Sequence, residues 1–511
     1  MMELQVPDVV LYGVFTLVLG WLLHFIYRRA NPACNGRLPP GSMGLPIVGE
    51  TLQLLKSSSS LDIPDFYKLR LKRYGHLFKT SFVGKPVVVS MDMEFNRFMF
   101  RHNDKLFQLW YPDTINSIFG KKSISACYGS IHKYFRSFAA PLYAPKNLKE
   151  AFVSEMESII TESLRTWAAN PNIEVKEAMT DMLFRITIKK VIGIESESPS
   201  TKELRKKFEL FFQGLLSFPI YIPGTKFYQS MQARKYVQKL MKDLLKRRIS
   251  TPQKRYGDFL DIVVEELQSE EALVDEDFMV DLVCGLIFAG IALTPTTLTI
   301  GMKFLTNSPN VVEALTEEHD AILKKQQELN SRITWEEFKY MKFTNRVINE
   351  MARVSSHGPG IFRKTLKDVH VNGYTIPEGW LVLVSPMAVH LNPLIFEDPL
   401  TFNPWRWQGT HGTSLMKNFI PFGDGARHCL GADFTKLQIA MFLHALVTKY
   451  RLHTDRVHTM HLHFLQSYYL VKLNEMGRTI RWIQNPFMPP LTKDSATIIY
   501  IKHYVIYMRA L

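Results

Sequence analysis

Cysteine is scarce: the 511 residues hold four, at Cys34, Cys127, Cys284 and Cys429, with no close pair and no Cys-x-x-Cys. That excludes a disulfide scaffold and points to thiols kept reduced. It also excludes a zinc finger, which needs Cys and His at finger spacing, and a c-type haem attachment, which needs Cys-x-x-Cys-His. Internal repeats, low-complexity tracts and a second linker are missing too, so a solenoid or array is excluded. Acidic residues are in deficit, with 48 Asp and Glu against 62 Lys and Arg, a net charge of +14. Such a charge suits an anionic membrane face, an acidic protein or nucleic acid, and does not choose among them. The densest basic stretch, Arg234 to Arg248, carries Tyr236, Val237, Leu240, Leu244 and Leu245 at helical intervals. It predicts an amphipathic helix with a solvated basic face, and no nucleic-acid partner.

What is abundant is apolar: 46% hydrophobic and 12% aromatic residues supply a large core. Val9 to Tyr27 is an almost uninterrupted apolar run, close to the roughly 20 residues of a membrane-crossing helix. Acidic Glu3 and Asp8 precede it and Arg28 and Arg29 follow, the reverse of a cleaved signal peptide. The positive-inside rule puts everything behind those arginines in the cytosol. Residues 1–30 therefore read as a single-pass anchor. Residues 31–50, rich in Pro and Gly, read as a stiff hinge, and 51–511 as one large domain. Within it, residues 84–92 predict a strand and 147–354 long amphipathic helices, one over the apolar run from Asp275 to about residue 306 and another capped by Thr334 and Glu337. Residues 368–386 predict strands around an Asn372–Gly373 turn, and Leu437 to Tyr450 a buried helix. The fold class is mainly α with small β-sheets.

The stretch PFGDGARHCLG, residues 421–431, sets Cys429 among three glycines behind Arg427. Gly423, Gly425 and Gly431 permit a tight turn against a bulky partner. A helix beginning just after Cys429 would stabilise its thiolate, as would the charge of Arg427. This suits a metal ligand or a nucleophile. A cysteine protease needs a partnered His that nothing local supplies, and a thiolate ligand to haem iron remains.

PFGDGARHCLG also matches Phe-x-x-Gly-x-Arg-x-Cys-x-Gly through Phe422, Gly425, Arg427, Cys429 and Gly431, and so resembles the haem-ligand motif of the cytochrome P-450 family. Two further motifs occur upstream in the family's order. EMAR matches Glu-x-x-Arg with Glu350 and Arg353, and FNPWRW supplies Arg406, the third member of the family's ion-pair triad. HKYFR resembles the family's Trp-x-x-x-Arg helix with His132 in place of Trp, and Arg363 sits where a strand arginine reaches the haem. The resemblance implies the cytochrome P-450 fold and haem b with Cys429 as axial ligand. It implies that His132, Arg136, Arg363 and Arg427 hold the haem propionates. CNGRLPPGSMGLPIVGET, KFLTNSP, GYTIPEGW and FNPWRW are similar to the plant branch acting on sterols, triterpenoids and brassinosteroids. A monomeric monooxygenase in the endoplasmic reticulum membrane is implied, taking electrons from an NADPH-cytochrome P-450 reductase and oxidising a flat apolar substrate.

Two departures stand out. Where the family reads an acid followed by Thr, this chain reads Ala292 and Leu293; Thr294 comes one residue late, about 100° round the helix, ahead of Pro295. The family's acid and alcohol deliver protons during oxygen activation, so Thr294, or Thr296, would have to be presented by a proline-distorted turn. A haem-thiolate isomerase, dehydratase or lyase, or a haem-binding protein without catalysis, are the alternatives that this loss opens. The tail, residues 453–511, lacks the glycine-, arginine- and proline-marked hairpin with which family chains close.

Overall fold

A computed structural model of the chain describes residues 6–30, 32–45, 48–56, 62–120, 123, 127–143, 150–170, 173–195, 198–215, 217–251, 253–270, 272–329, 335–356 and 360–450. Beyond these it describes five short strands between Met460 and Met508. The rest of the atypical tail, and the expected capping residue Thr334, lie outside the described residues. Contacts group the chain into two compact units.

The first unit takes in the N-terminal 56 residues, Asp65–Trp110 and Ile361–Ser385. The apolar run is helical over Val6–Ala30, longer than the stretch read from the sequence. Its exposed side chains include Tyr12, Phe15, Leu17 and Trp21, each at least 62% accessible. Thr16 satisfies its hydroxyl inside the helix by donating to the Tyr12 carbonyl at 2.7 Å, so the segment presents little unsatisfied polarity. A five-stranded sheet runs in the order Leu77–Phe82, Lys85–Ser90, Leu381–Val384, Ile361–Thr365, Phe107–Leu109. Lys85–Ser90 and Leu381–Val384 pair in parallel; the other pairs are antiparallel. Val87, Val88 and Val89 are fully buried, as a strand covered on both faces requires. The predicted Asn372–Gly373 turn is present, with φ of +48° and +75°, and joins Val369–Val371 to Tyr374–Ile376.

The second unit is helical, with Ser57–Pro64, Tyr111–Gly360 and the chain from Pro386 onward. The apolar stretch Glu276–Thr306 is long enough to cross a membrane, yet 72% of its apolar 18-residue window is buried within the protein, so it is a core element. It is two helices, Glu276–Ala292 and Thr294–Thr306, broken at Leu293. Asp275 caps the first by accepting from Phe278 N at 2.9 Å. Gly290 lets the helix Val175–Ile192 pass close by: a Cβ there would lie 2.7 Å from Thr187 Cγ2. The basic stretch lies in Lys226–Ser250, but two of its arginines leave the expected solvated face. Arg234 pairs with Asp281 at 2.8 Å, and Arg248 with Asp258 and Asp261 at 2.6 Å each. Charges taken this far from water persist only when paired.

Three helices are stitched by a buried polar chain. His319 on Pro309–Leu329 meets His444 on Ala432–Lys449, Nδ1 to Nδ1 at 3.0 Å, and its Nε2 lies 2.9 Å from Thr344 Oγ1 on Lys342–Val354. Thr344 donates its hydroxyl to Glu318 Oε2 at 2.6 Å, so it must accept from His319 Nε2–H. His319 Nδ1 then accepts from His444 Nδ1–H, and the tautomers of both rings are set by one carboxylate.

Candidate active site

The cysteine turn is built as its glycines require. Gly423 and Gly425 adopt φ of +69° and +67°, and Gly425–Arg427 forms a single 3-10 turn. The turn closes through Cys429 N, which donates to the Phe422 carbonyl at 2.9 Å. Two residues after Cys429 comes Gly431, and Ala432–Lys449 follows as a helix. Of the four cysteines, Cys429 alone is exposed. Protein nevertheless crowds its other sides, and that burial raises the thiol above its ordinary value; the Gly431 N–H and the Arg136 guanidinium pull it back down.

The cation acting on this thiol is thus Arg136, against a weaker upward push from Asp433, whereas the sequence pointed to Arg427. Arg427 reaches away, donating through Nη2 to the Cys127 carbonyl at 2.6 Å. Arg136 and His132 stand one turn apart on the helix Gly129–Tyr143. Arg136 Nη1 donates to the His428 carbonyl at 2.8 Å, and His132 is buried. Burial lowers Arg136 from its ordinary value, Cys429 raises it and the neighbouring Arg427 lowers it again. Two guanidinium groups close enough to disfavour one another are a site for anions. An exposed thiol just ahead of a helix, the Arg136 guanidinium acting on it, the Arg427 guanidinium close to Arg136 and a buried imidazole one turn from Arg136 are a donor set that fits a haem, one thiolate for iron and cations for its carboxylates. Arg363 belongs to the sheet unit, where it is 2% accessible and donates to Asn103 Oδ1 at 2.7 Å and the Phe362 carbonyl at 2.8 Å.

The predicted triad comes together around one carboxylate. Glu350 and Arg353 are both fully buried. Arg353 Nε donates to Glu350 Oε2 at 2.9 Å and Nη2 to Oε1 at 2.8 Å, while Arg406 Nε reaches Oε1 at 3.0 Å. Asn403 N and Trp407 Nε1 add two further donors at 3.0 Å each, which the motif did not reveal. Two cations on one anion leave a positive charge, offset by carbonyl oxygens. Arg353 Nη1 donates to those of His390 and Pro399 at 2.8 and 2.7 Å, and Arg406 Nη1 to that of Glu397 at 2.8 Å.

His390 was not singled out by the sequence, and it ties this node to the cysteine turn. Ile420 N donates to its Nε2 at 3.0 Å, two residues before Phe422. The proton is therefore on Nδ1, which faces Ser356 Oγ at 2.6 Å, and Ser356 donates to the Arg353 carbonyl at 3.0 Å. Burial first, and Arg353 second, lower His390 to about 3, so the ring stays neutral. A fully buried histidine at the end of a five-residue helix has no periodicity to betray it.

The helix break sits where the family's acid and alcohol are replaced. Ala289 and Leu293 are exposed, one turn apart, at the end of a helix whose residues from Phe278 onward are otherwise buried or half-buried. Half-buried Phe288 beside them packs between Phe119, edge to face, and Phe212, with centroids 4.6 and 4.4 Å away. Thr294, only 5% accessible, opens the second helix.

A family model described as Cytochrome P450 matches residues 39–475. Cytochrome P450 87A3 of Oryza sativa subsp. japonica is 47% identical over 84% of this chain and 84% of its own length. Cucurbitadienol 11-hydroxylase of Siraitia grosvenorii is 39% identical over 86% of this chain and 93% of its own. A beta-amyrin 16-alpha-hydroxylase of Maesa lanceolata is 38% identical over 84% and 90%. The solved structure of a retinoic acid-bound cyanobacterial CYP120A1 superposes with a TM-score of 0.75 at 26% identity, covering 86% of this chain and all of that one.

Proposed function

Because the chain belongs to the cytochrome P450 family, we propose that it is a membrane-anchored monooxygenase hydroxylating a sterol- or triterpenoid-like substrate. Haem b with a thiolate ligand, when bound, supplies the activation of dioxygen and the insertion of one oxygen atom into the substrate. Cys429 Sγ holds the iron: its own N–H is closed onto Phe422, and the Gly431 N–H and Arg136 favour the thiolate against burial. Phe422 and Gly431 frame that ligand. His132, Arg136 and Arg427 bind the cofactor's carboxylates. Glu350, Arg353 and Arg406 fix the loop before the cysteine turn through His390 and Ile420. Thr294 is the next hydroxyl behind the missing pair and a candidate to move protons there.

The observation carrying the substrate class is the open side of the helix Glu276–Ala292: Phe288, Ala289 and the following Leu293 offer no charge and no hydrogen-bonding side chain. Such a wall suits a rigid hydrocarbon, and relatives named for cucurbitadienol and beta-amyrin support it. Electrons come from an NADPH-cytochrome P450 reductase, whose acidic docking face suits a net charge of +14. Arg28 and Arg29 in the last turn of the N-terminal helix, behind its apolar run, support a cytosolic catalytic part, on a monomer in the endoplasmic reticulum membrane.

The test is co-expression with a plant reductase in yeast that makes sterols and triterpenoids, followed by untargeted product analysis. A new product one oxygen heavier, formed only with the reductase, is expected. Conversion without reductant would replace this reading with the isomerase or lyase that Ala292 and Leu293 allow, and haem-loaded protein with no product from any such substrate would refute the substrate class.

A further inference from the structure

The chain holds two Asn-Gly pairs, Asn35–Gly36 in the proline- and glycine-rich segment and Asn372–Gly373 at the strand turn, and all four residues are exposed. Asparagine before glycine readily loses its side-chain amide, because glycine puts no side chain in the path of its own nitrogen. The two pairs are held differently. Asn372, with φ of +48° ahead of Gly373 at +75°, sits in the left-handed hairpin turn whose first ψ is about +30°, so the Gly373 nitrogen points away from the Asn372 side chain. Its amide is also engaged, Nδ2 donating to Asp92 Oδ2 at 3.1 Å. Asn35 lies outside the left-handed region. Neither its side-chain amide nor the Gly36 N–H has a partner among the described residues.

Around Asn35 the segment is clasped to the hairpin that Asn372 closes, and the contacts fall on one residue, Thr375. Cys34 Sγ donates to the Thr375 carbonyl at 3.7 Å, and Thr375 N donates to the Arg37 carbonyl at 2.7 Å. Between them Gly36 has φ of +141°, and a Cβ there would collide with Thr375 Oγ1. Thr375 cannot retreat, being buried with its Oγ1 3.0 Å from His370 Nδ1. Position 36 therefore admits glycine alone, and the close fit that clasps the segment is also what leaves Asn35 labile.

We propose that Asn35 is a site of spontaneous deamidation, which unclasps the segment from the hairpin Val369–Ile376. The Gly36 nitrogen bonds to Asn35 Cγ, and the side-chain amide leaves with the Gly36 proton as ammonia. Water then opens the five-membered imide. Opening at the main-chain carbonyl leaves isoaspartate and opening at the side-chain carbonyl leaves aspartate, with no oxidant or reductant consumed. Isoaspartate adds one carbon to the main chain, about 1.5 Å, together with a negative charge. Both enter between Cys34 and Arg37, which meet the same threonine, and Gly36 has no clearance to absorb them. The site is independent of the monooxygenase reading.

The experiment ages the full-length protein in detergent at neutral pH for several weeks, in water carrying heavy oxygen, and maps its peptides by mass. Asn35 is expected to convert several-fold faster than Asn372, taking up one heavy oxygen. In the urea-unfolded chain the two pairs should convert at similar rates, since only the fold distinguishes them. Hydrogen exchange reads the clasp, because the Thr375 amide is protected by the Arg37 carbonyl. Exchange at Thr375 should be faster in aged than in fresh protein. Aged Asn35→Gln, whose longer side chain would have to close a six-membered ring, should keep the fresh rate. An intact Asn35, or an Asn372 that converts as fast in the folded protein, overturns the site. Conversion at Asn35 with Thr375 as protected as before overturns the unclasping.

Discussion

Removing Glu350 tests what the buried node does. Its two oxygens accept five hydrogen bonds, from Arg353 Nε and Nη2, Arg406 Nε, Asn403 N and Trp407 Nε1, all between 2.8 and 3.0 Å. Glu350→Ala strips the anion from two guanidinium groups that are 0% and 7% accessible. Breaking a buried pair by removing one partner typically costs about 3–5 kcal/mol, against a total stability of about 5–15 kcal/mol. A loss of that size should leave little haem-loaded protein, because Arg353 also anchors the His390 carbonyl and, through that residue, Ile420 ahead of the cysteine turn. The assay is the ratio of haem absorbance to protein in purified samples, with urea midpoints beside it. Arg406→Ala should cost less, since Arg353 still pairs with the carboxylate. The double variant should lose less than the sum of the singles, by about 0.5–3 kcal/mol, because each single leaves a charge the other would have removed. Wild-type haem content in Glu350→Ala, or strictly additive losses, would show that the node is not a coupled electrostatic unit.

Cys429→His should abolish the thiolate-type carbon monoxide difference spectrum, while Cys34→Ser, Cys127→Ser and Cys284→Ser retain it; survival of the spectrum in Cys429→His would remove Cys429 as ligand. Burial lowers His319 and His390 to about 3 and His444 to about 4, from an unfolded value near 6.5. Below pH 6.5 the unfolded chain takes up protons that the folded chain refuses, so stability present above pH 6.5 is lost as pH falls, by up to about 1.4 kcal/mol per unit per histidine. Urea midpoints at pH 7.5, 6.5 and 5.5 should decline, and His390→Gln should flatten the slope even if it lowers every midpoint; a level wild-type profile would contradict the neutral rings. Gly290→Ala brings a methyl within 2.7 Å of Thr187 Cγ2 and should cost about 1–3 kcal/mol, partly relieved by Thr187→Ala; an unrelieved loss in the double variant would point to another cause.

The parts of the site legible in the sequence are those whose partners are close along the chain. The glycines around Cys429, the three-residue spacing of Glu350 and Arg353 and the strand turn at Asn372 all announce local geometry. Pro295 likewise marks the helix break. What stayed hidden depends on distant segments meeting. His390 gains its role only when Ile420 and Arg353 converge on it, and the His319–His444 contact joins residues 125 positions apart. Arg427, next but one to Cys429, shows the converse: sequence proximity suggested a charge on the thiol, but its Nη2 turns to the Cys127 carbonyl and Arg136, far upstream, is the one that acts. Likewise helical spacing made Arg234 and Arg248 look solvated, and only the carboxylates of Asp281, Asp258 and Asp261 explain why they turn inward.

The parallel pairing of Lys85–Ser90 with Leu381–Val384 bears on how the chain is made. During synthesis the hairpin of Leu77–Phe82 and Lys85–Ser90 leaves the ribosome with one edge bare, and about 290 residues must follow before its partner strand exists. At roughly 5–20 residues per second that is a wait of about 15–60 s. Throughout it, Val87, Val88 and Val89 form a short, β-branched, uncharged edge, the kind of segment that recruits other chains. The growing protein must keep this edge shielded until Leu381–Val384 arrives, so the nascent chain, more than the finished enzyme, is the form most in need of a chaperone. A pause or truncation anywhere between Trp110 and Ile361 should therefore yield aggregates seeded by that hairpin.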